Sequence, residues 1–129
     1  MADHGTFYWN ELVTTDPGQC STFYSTVVGW TSRDMDMGEG GTYTIFQSNG
    51  TDIGGMFKMQ GPQFEGVPPH WMGYVAVDDV DAAVAKVEGA GGAVKAPPFD
   101  VPGIGRIAVI TDPVGATVSL MTPAPEQES

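Results

Sequence analysis

Apolar and β-branched residues dominate the stretch TFYWNELV, and their density predicts a strand over Thr6–Val13. Asp16-Pro17 supplies a helix N-cap followed by proline at the first helical position. The helix predicted from there runs over Gly18–Val28 and stops at Gly29. Short strands are predicted at Trp30–Met35, Thr42–Gln47 and Ile53–Lys58, separated by glycine-rich turns and by Ser48-Asn49-Gly50. The run GPQFEGVPP (Gly61–Pro69) carries three prolines and reads as a linker. The pattern then begins again. Trp71–Val77 predicts a strand, Asp78-Asp79 caps a helix through Val80–Gly89, and Gly91-Gly92 ends it. Ala93–Ala96, Gly105–Thr111 and Ala116–Met121 predict three further strands, and the polar tail from Thr122 is expected to fray.

Sliding the chain by 63 positions sets Asp16 on Asp79 and Gly29 on Gly92, and also Leu12 on Val75 and Ile53 on Ala116. Both capping aspartates and both helix-ending glycines fall into register at one offset, the mark of an internal repeat. The fold class expected is α+β, built from two βαβββ modules in a single domain. Module one covers about 6–60, a linker 61–69, module two about 70–122, and a tail 123–129.

Composition narrows the functional classes. Hydrophobic residues make up 41% of the 129 and charged residues 16%, which excludes wholesale disorder. Five Lys and Arg stand against 16 Asp and Glu, a net charge of −11. Such a surface repels nucleic acid and anionic membranes, so neither is an expected partner, whereas a cationic small molecule would be favoured. Cys20 is the sole cysteine, so no internal disulfide forms and nothing points to an oxidising compartment. No apolar run approaches the ~20 residues of a membrane span, and the start lacks a signal-peptide pattern. A cytoplasmic location is expected.

TFYWNELVTTDPGQCSTFYSTVVGW, then IGGM, then HWMGYVAVDDVDAAVAKVEGAGG and the closing TDPVGATVSL together resemble the vicinal-oxygen-chelate superfamily of glyoxalases, extradiol dioxygenases and bleomycin-resistance proteins. The resemblance covers Thr6 to about Pro123. It implies paired half-barrels curling around a cavity, and a homodimer as partner state. Metal-dependent members hold a divalent ion with His, Gln or Glu from four strands. The family spacing carries those positions onto Trp9 and Ser119, and the repeat offset carries Trp9 onto Met72 and Ser119 onto Met56. None of the four is a ligand for Mn, Ni, Zn or Fe. No cofactor is expected, which separates this chain from standard glyoxalase I and extradiol dioxygenase chemistry.

Glu11 shares the Trp9 face of its strand and His70 that of Met72, too few groups to rebuild a closed metal site; a weak divalent-metal site completed by water or a ligand is the alternative. An inward carboxylate is costly unless used, so Glu11 is a candidate acid/base or ligand anchor. Alternatively its face opens to water, or it pairs with Arg106 or Lys58. His70 is a second candidate acid/base group, or simply exposed beside the linker. Trp9, Phe46, Met56, Met72 and Tyr74 either line an apolar pocket or fill it as core. Ser119 and Arg106 are further candidate ligand contacts, and the loop Pro97–Gly105 a candidate lid. Gly103-Ile104-Gly105-Arg106 lacks the strand–loop–helix setting of a phosphate loop. The expected function is binding of a small organic molecule without a divalent metal; the alternative is a metal-free or metal-poor isomerase, lyase or hydroxylase using Glu11.

Overall fold

Asp16 does what its position before Pro17 demands: its side chain accepts from the Gln19 N–H at 3.1 Å and starts helix α1, Pro17–Val27. In the computed structural model, which describes residues 3–36, 41–101 and 104–124, the chain divides into two units, Trp9–Met72 and Met1–Tyr8 with Gly73–Ser129. The first unit carries β1 (Phe7–Thr14), α1, β2 (Thr31–Asp36), β3 (Thr42–Ser48) and β4 (Thr51–Lys58). Its sheet order is β2-β3-β4-β1. Strand β4 pairs antiparallel with β3 and parallel with β1. The β3–β4 hairpin turns on Asn49 (φ 50°) and Gly50 (φ 80°), the left-handed pair that a two-residue hairpin loop requires. Under α1 lie Leu12, Phe46 and Met56, with Cys20, Tyr24, Trp30 and Ile53 packed around them.

The second unit repeats the plan with β5 (His70–Ala76, its first three residues counted in the first unit), α2 (Val80–Val84), β6 (Ala93–Val101), β7 (Gly105–Thr111) and β8 (Thr117–Pro123), ordered β5-β8-β7-β6. Asp79 caps α2 through the Ala82 N–H at 3.1 Å. Val77, Val80, Ala108 and Leu120 form its core. The segment before β1 is tied to this unit: the Gly5 N–H donates to Ala76 O at 2.7 Å and the Ala76 N–H to Thr6 O at 2.8 Å.

Two predicted elements differ. Helix α2 stops at Val84 rather than Gly89, and the bonds from the Lys86 and Val87 N–H groups reach back only three residues. Gly89 and Gly91 offer little helical propensity to hold a longer α-helix, and Gly91 at φ 93° closes the turn. Strand β6 runs on through Pro97-Pro98 to Val101, so the lid expected at Pro97–Gly105 is paired strand over much of its length. Positions 102 and 103 of that loop, the second also part of the glycine pattern, lie outside the described residues, as do 125–129 of the tail. Proline is admissible there because β6 ends the sheet order and is bulged at both Val94/Ala96 and Ala96/Phe99.

Those bulges correct the repeat. Matching strand partners sets Thr31 on Ala93, Arg33 on Ala96 and Met35 on Phe99, so the offset climbs from 62 to 63 to 64 along β2 and β6. It begins one short of 63 because Trp30 separates Gly29 from β2, whereas Gly92 runs directly into β6. Beyond that point the 64-residue offset persists through β4 and β8.

Candidate functional site

The face of the first sheet that points away from α1 carries the candidate site. Successive strand residues alternate faces, and Leu12 packs under the helix, so Glu11 lies on the opposite side. Strand pairing places Glu11 beside Gly55 and Gly55 beside Ile45 in one row. Glu11 is only 8% exposed. A carboxylate held that deep is kept by hydrogen-bonding or charged partners, and Glu11 is not without one. One turn of the pleat away, the Trp9 indole N–H donates to the Tyr43 hydroxyl at 3.0 Å. That hydroxyl stands over Gly55, in the space a Cβ at 55 would enter.

Tyr43 and Gly55 were not singled out by the sequence, and the shifted repeat explains why. Glu11 pairs with Gly55 as Tyr74 pairs with Ser119. The partner of Ser119 in module one is therefore Gly55, not Met56. Met56 is 1% exposed and packs with Leu12 and Phe46 on the helix side. Phe46, also 1% exposed, sits in the same core, so neither lines the face that carries Trp9 and Glu11. The available signal was the alternation Tyr43, Ile45 along β3, read with the bulge between Phe46 and Gln47.

In the second unit Ser119 is 1% exposed and Tyr74, its neighbour across the parallel pair, is half-buried. Met72 and His70, on β5, are half-buried; the His70 Nδ1 lies 2.9 Å from Pro68 O. Arg106 is engaged away from Glu11. Its Nε and Nη2 donate to the Asp81 carboxylate at 2.7 and 3.0 Å, and its Nη1 to Asp100 at 3.0 Å. These bonds hold the Asp81 carboxyl below the usual carboxylate range and raise the guanidinium further. The alternative in which Arg106 pairs with Glu11 gives way to this surface triad, because Arg106 stands beside Asp100 across β6 and β7.

A resident divalent metal does not fit these residues. The family positions now read indole (Trp9), no side chain (Gly55), thioether (Met72) and hydroxyl (Ser119). None offers the imidazole or carboxylate donors that Mn, Fe, Ni or Zn take. Among the described residues no group of three or more His, Cys, Asp or Glu comes together.

Comparison with known proteins agrees with this architecture. Residues 5–120 match the family profile described as "Glyoxalase/Bleomycin resistance protein/Dioxygenase superfamily". The chain belongs to this superfamily. Among curated relatives, "Putative glyoxylase CFP32" of Mycobacterium tuberculosis is 45% identical over 123 residues, covering 95% of this chain and 46% of the relative. "Anthracycline biosynthesis protein DnrV" of Streptomyces peucetius is 37% identical over 124 residues, covering 87% and 45%. The chain thus spans about half the length of the curated relatives it matches. Among solved structures, methylmalonyl-CoA epimerase from Mycobacterium tuberculosis superposes with a TM-score of 0.65 at 15% identity, covering 97% of this chain and 93% of that one. Protein BH1468 from Bacillus halodurans gives 0.73 at 10% identity, covering 98% and 100%. At such identities the likeness is one of fold. No helix among the described residues is long and apolar enough to cross a membrane.

Proposed function

We propose that the chain binds a small oxygenated organic molecule on the Glu11 face of its first module, without a resident divalent metal. The observation that carries this reading is the buried Glu11 carboxylate beside the Trp9–Tyr43 pair. A carboxylate there accepts from a ligand hydroxyl or ammonium, while the indole and phenol rings cover apolar carbon. The name of one relative fits such a ligand, since an anthracycline is an oxygenated carbon compound. The protein is read as a homodimer of the cytoplasm.

The same burial favours a second reading, in which Glu11 moves a proton at the carbon or hydroxyl of a bound substrate. The two are separated by titrating EDTA-dialysed protein with a panel of hydroxyketones and phenols, followed by ligand-observed NMR and by product analysis. Glu11→Gln weakens binding by roughly tenfold if the carboxylate only anchors. If it transfers a proton, turnover falls by roughly a hundredfold or more. Binding that appears only after Mn, Ni or Zn is restored contradicts both.

A further inference from the structure

The helix side of the first unit opens into a cleft of about 490 Å³ lined by Asn10, Trp30, Ser48, Ile53 and Trp71. We infer that this cleft is a second ligand site, which takes a flat aromatic molecule that is uncharged or cationic. It is independent of the Glu11 face, because Asn10 alternates with Glu11 along β1 and projects from the other side of the sheet.

The walls are built before any ligand arrives. The Trp71 indole N–H donates to the Tyr24 hydroxyl at 3.1 Å. Tyr24 stacks on Trp30 with ring centroids 5.3 Å apart and planes 26° from parallel. Trp30 in turn packs 5.1 Å from Phe46, which is fully buried. Trp71, held by the hydrogen bond, and Trp30, held by the stack, lose little rotamer freedom on binding, so the contact is gained at low entropic cost. Trp30 and Trp71 meet at 76° with centroids 6.0 Å apart. Two indoles at that angle form a corner, suited to a ring that stacks on one and meets the edge of the other. The volume falls within the range of small-molecule pockets.

The chemistry of the lining selects the ligand. Asn10 supplies amide donors and an acceptor, Ser48 a hydroxyl, and no lining residue is charged. In a chain of net charge −11, indole faces attract a cationic ring, and the overall field disfavours an anionic one. The repeat adds an independent argument. Trp30 is the residue that module one has and module two lacks, since Gly92 passes straight into β6. The βαβββ plan closes without a tryptophan there, yet this chain places an indole at the cleft.

The test uses the untagged full chain, with proflavine as a flat cationic probe and pyrenesulfonate as a flat anionic one. Proflavine saturates at one equivalent and shifts the indole N–H NMR signals of Trp30 and Trp71 while leaving that of Trp9 in place. Pyrenesulfonate binds roughly tenfold more weakly, and Trp71→Leu weakens proflavine by a similar factor. The NMR readout needs no variant, so a Trp71→Leu protein that fails to fold does not blunt the test. Unmoved Trp30 and Trp71 signals at saturating proflavine overturn the proposal, as does a shift centred on Trp9. Equal affinity for the two probes removes the cationic preference and overturns the ligand class. If the probe leaves both signals unmoved and Trp71→Leu splits a dimer, the cleft is an interface between copies and the proposal fails.

Discussion

Replacing Gly55 by alanine drives a methyl group into the space of the Tyr43 hydroxyl. The ring must swing aside and give up its bond from the Trp9 indole, now 3.0 Å long. A lost hydrogen bond of this kind costs about 0.5–1.5 kcal/mol, and repacking around an added methyl costs roughly 1–3 kcal/mol. Gly55 is not among the positive-φ glycines, so alanine adopts its backbone without strain. The loss of unfolded-chain freedom then gives back about 0.4–1 kcal/mol. The net expectation is destabilisation of about 0.5–4 kcal/mol, read from urea unfolding followed by far-UV circular dichroism. In a Tyr43→Ala background the clash is gone, and Gly55→Ala becomes neutral or slightly stabilising. The double-mutant cycle should therefore give a coupling of about 1.5–4.5 kcal/mol. If Gly55→Ala costs the same in both backgrounds, to within about 0.5 kcal/mol, Tyr43 does not occupy that space and the account of the site is wrong.

Phe46→Ala is expected to cost about 3–5 kcal/mol in the same assay, because Phe46 belongs to the α1 core; a cost below about 1 kcal/mol would return it to an exposed role. Arg106→Gln should leave the urea midpoint nearly unmoved and ligand affinity at the Glu11 face unchanged, since its partners are surface aspartates. A large loss of affinity would put Arg106 back at the site. The Asp112 carboxyl is held below its usual 3.8 by the Ala116, Val114 and Gly115 N–H groups. A carboxyl depressed in the folded state stabilises above its unfolded pKa, and that stability drains away as pH falls through the lower folded value. Thermal midpoints should therefore drop below about pH 4, less steeply for Asp112→Asn; an unchanged slope would contradict this. Sedimentation equilibrium should give twice the 13.6 kDa chain mass; a monomer at all concentrations would remove the homodimer.

The plan of the fold was legible because its signals are local. Asp16-Pro17 and Asp79 cap the helices they precede, and Gly29 and Gly91 lie at or near their ends. Asn49-Gly50 turns the hairpin. Pro97-Pro98 misled because proline usually closes a strand, whereas a bulged edge strand has no ladder bond for it to break. The site was legible where alternation alone decides, which placed Trp9 and Glu11 on one face. It failed where register matters. A bulge moves every later residue by one position and so to the other face. The constant offset therefore landed on Met56, a core residue, and passed over Gly55. Tyr43 was hidden for a related reason, since its relation to Trp9 exists only across β1, β4 and β3. The partners of Arg106 come from α2 and β6, separations of 25 and 6 residues that no local pattern announces.

Elemental analysis of the untagged protein, purified from cells supplied with Mn, Fe, Ni and Zn, tests the central claim most directly. Positions that read indole, glycine, thioether and hydroxyl predict metal far below one equivalent per chain, unchanged in Glu11→Gln. A divalent metal near one equivalent, lost in Glu11→Gln, would contradict the account and place that carboxylate in a coordination shell.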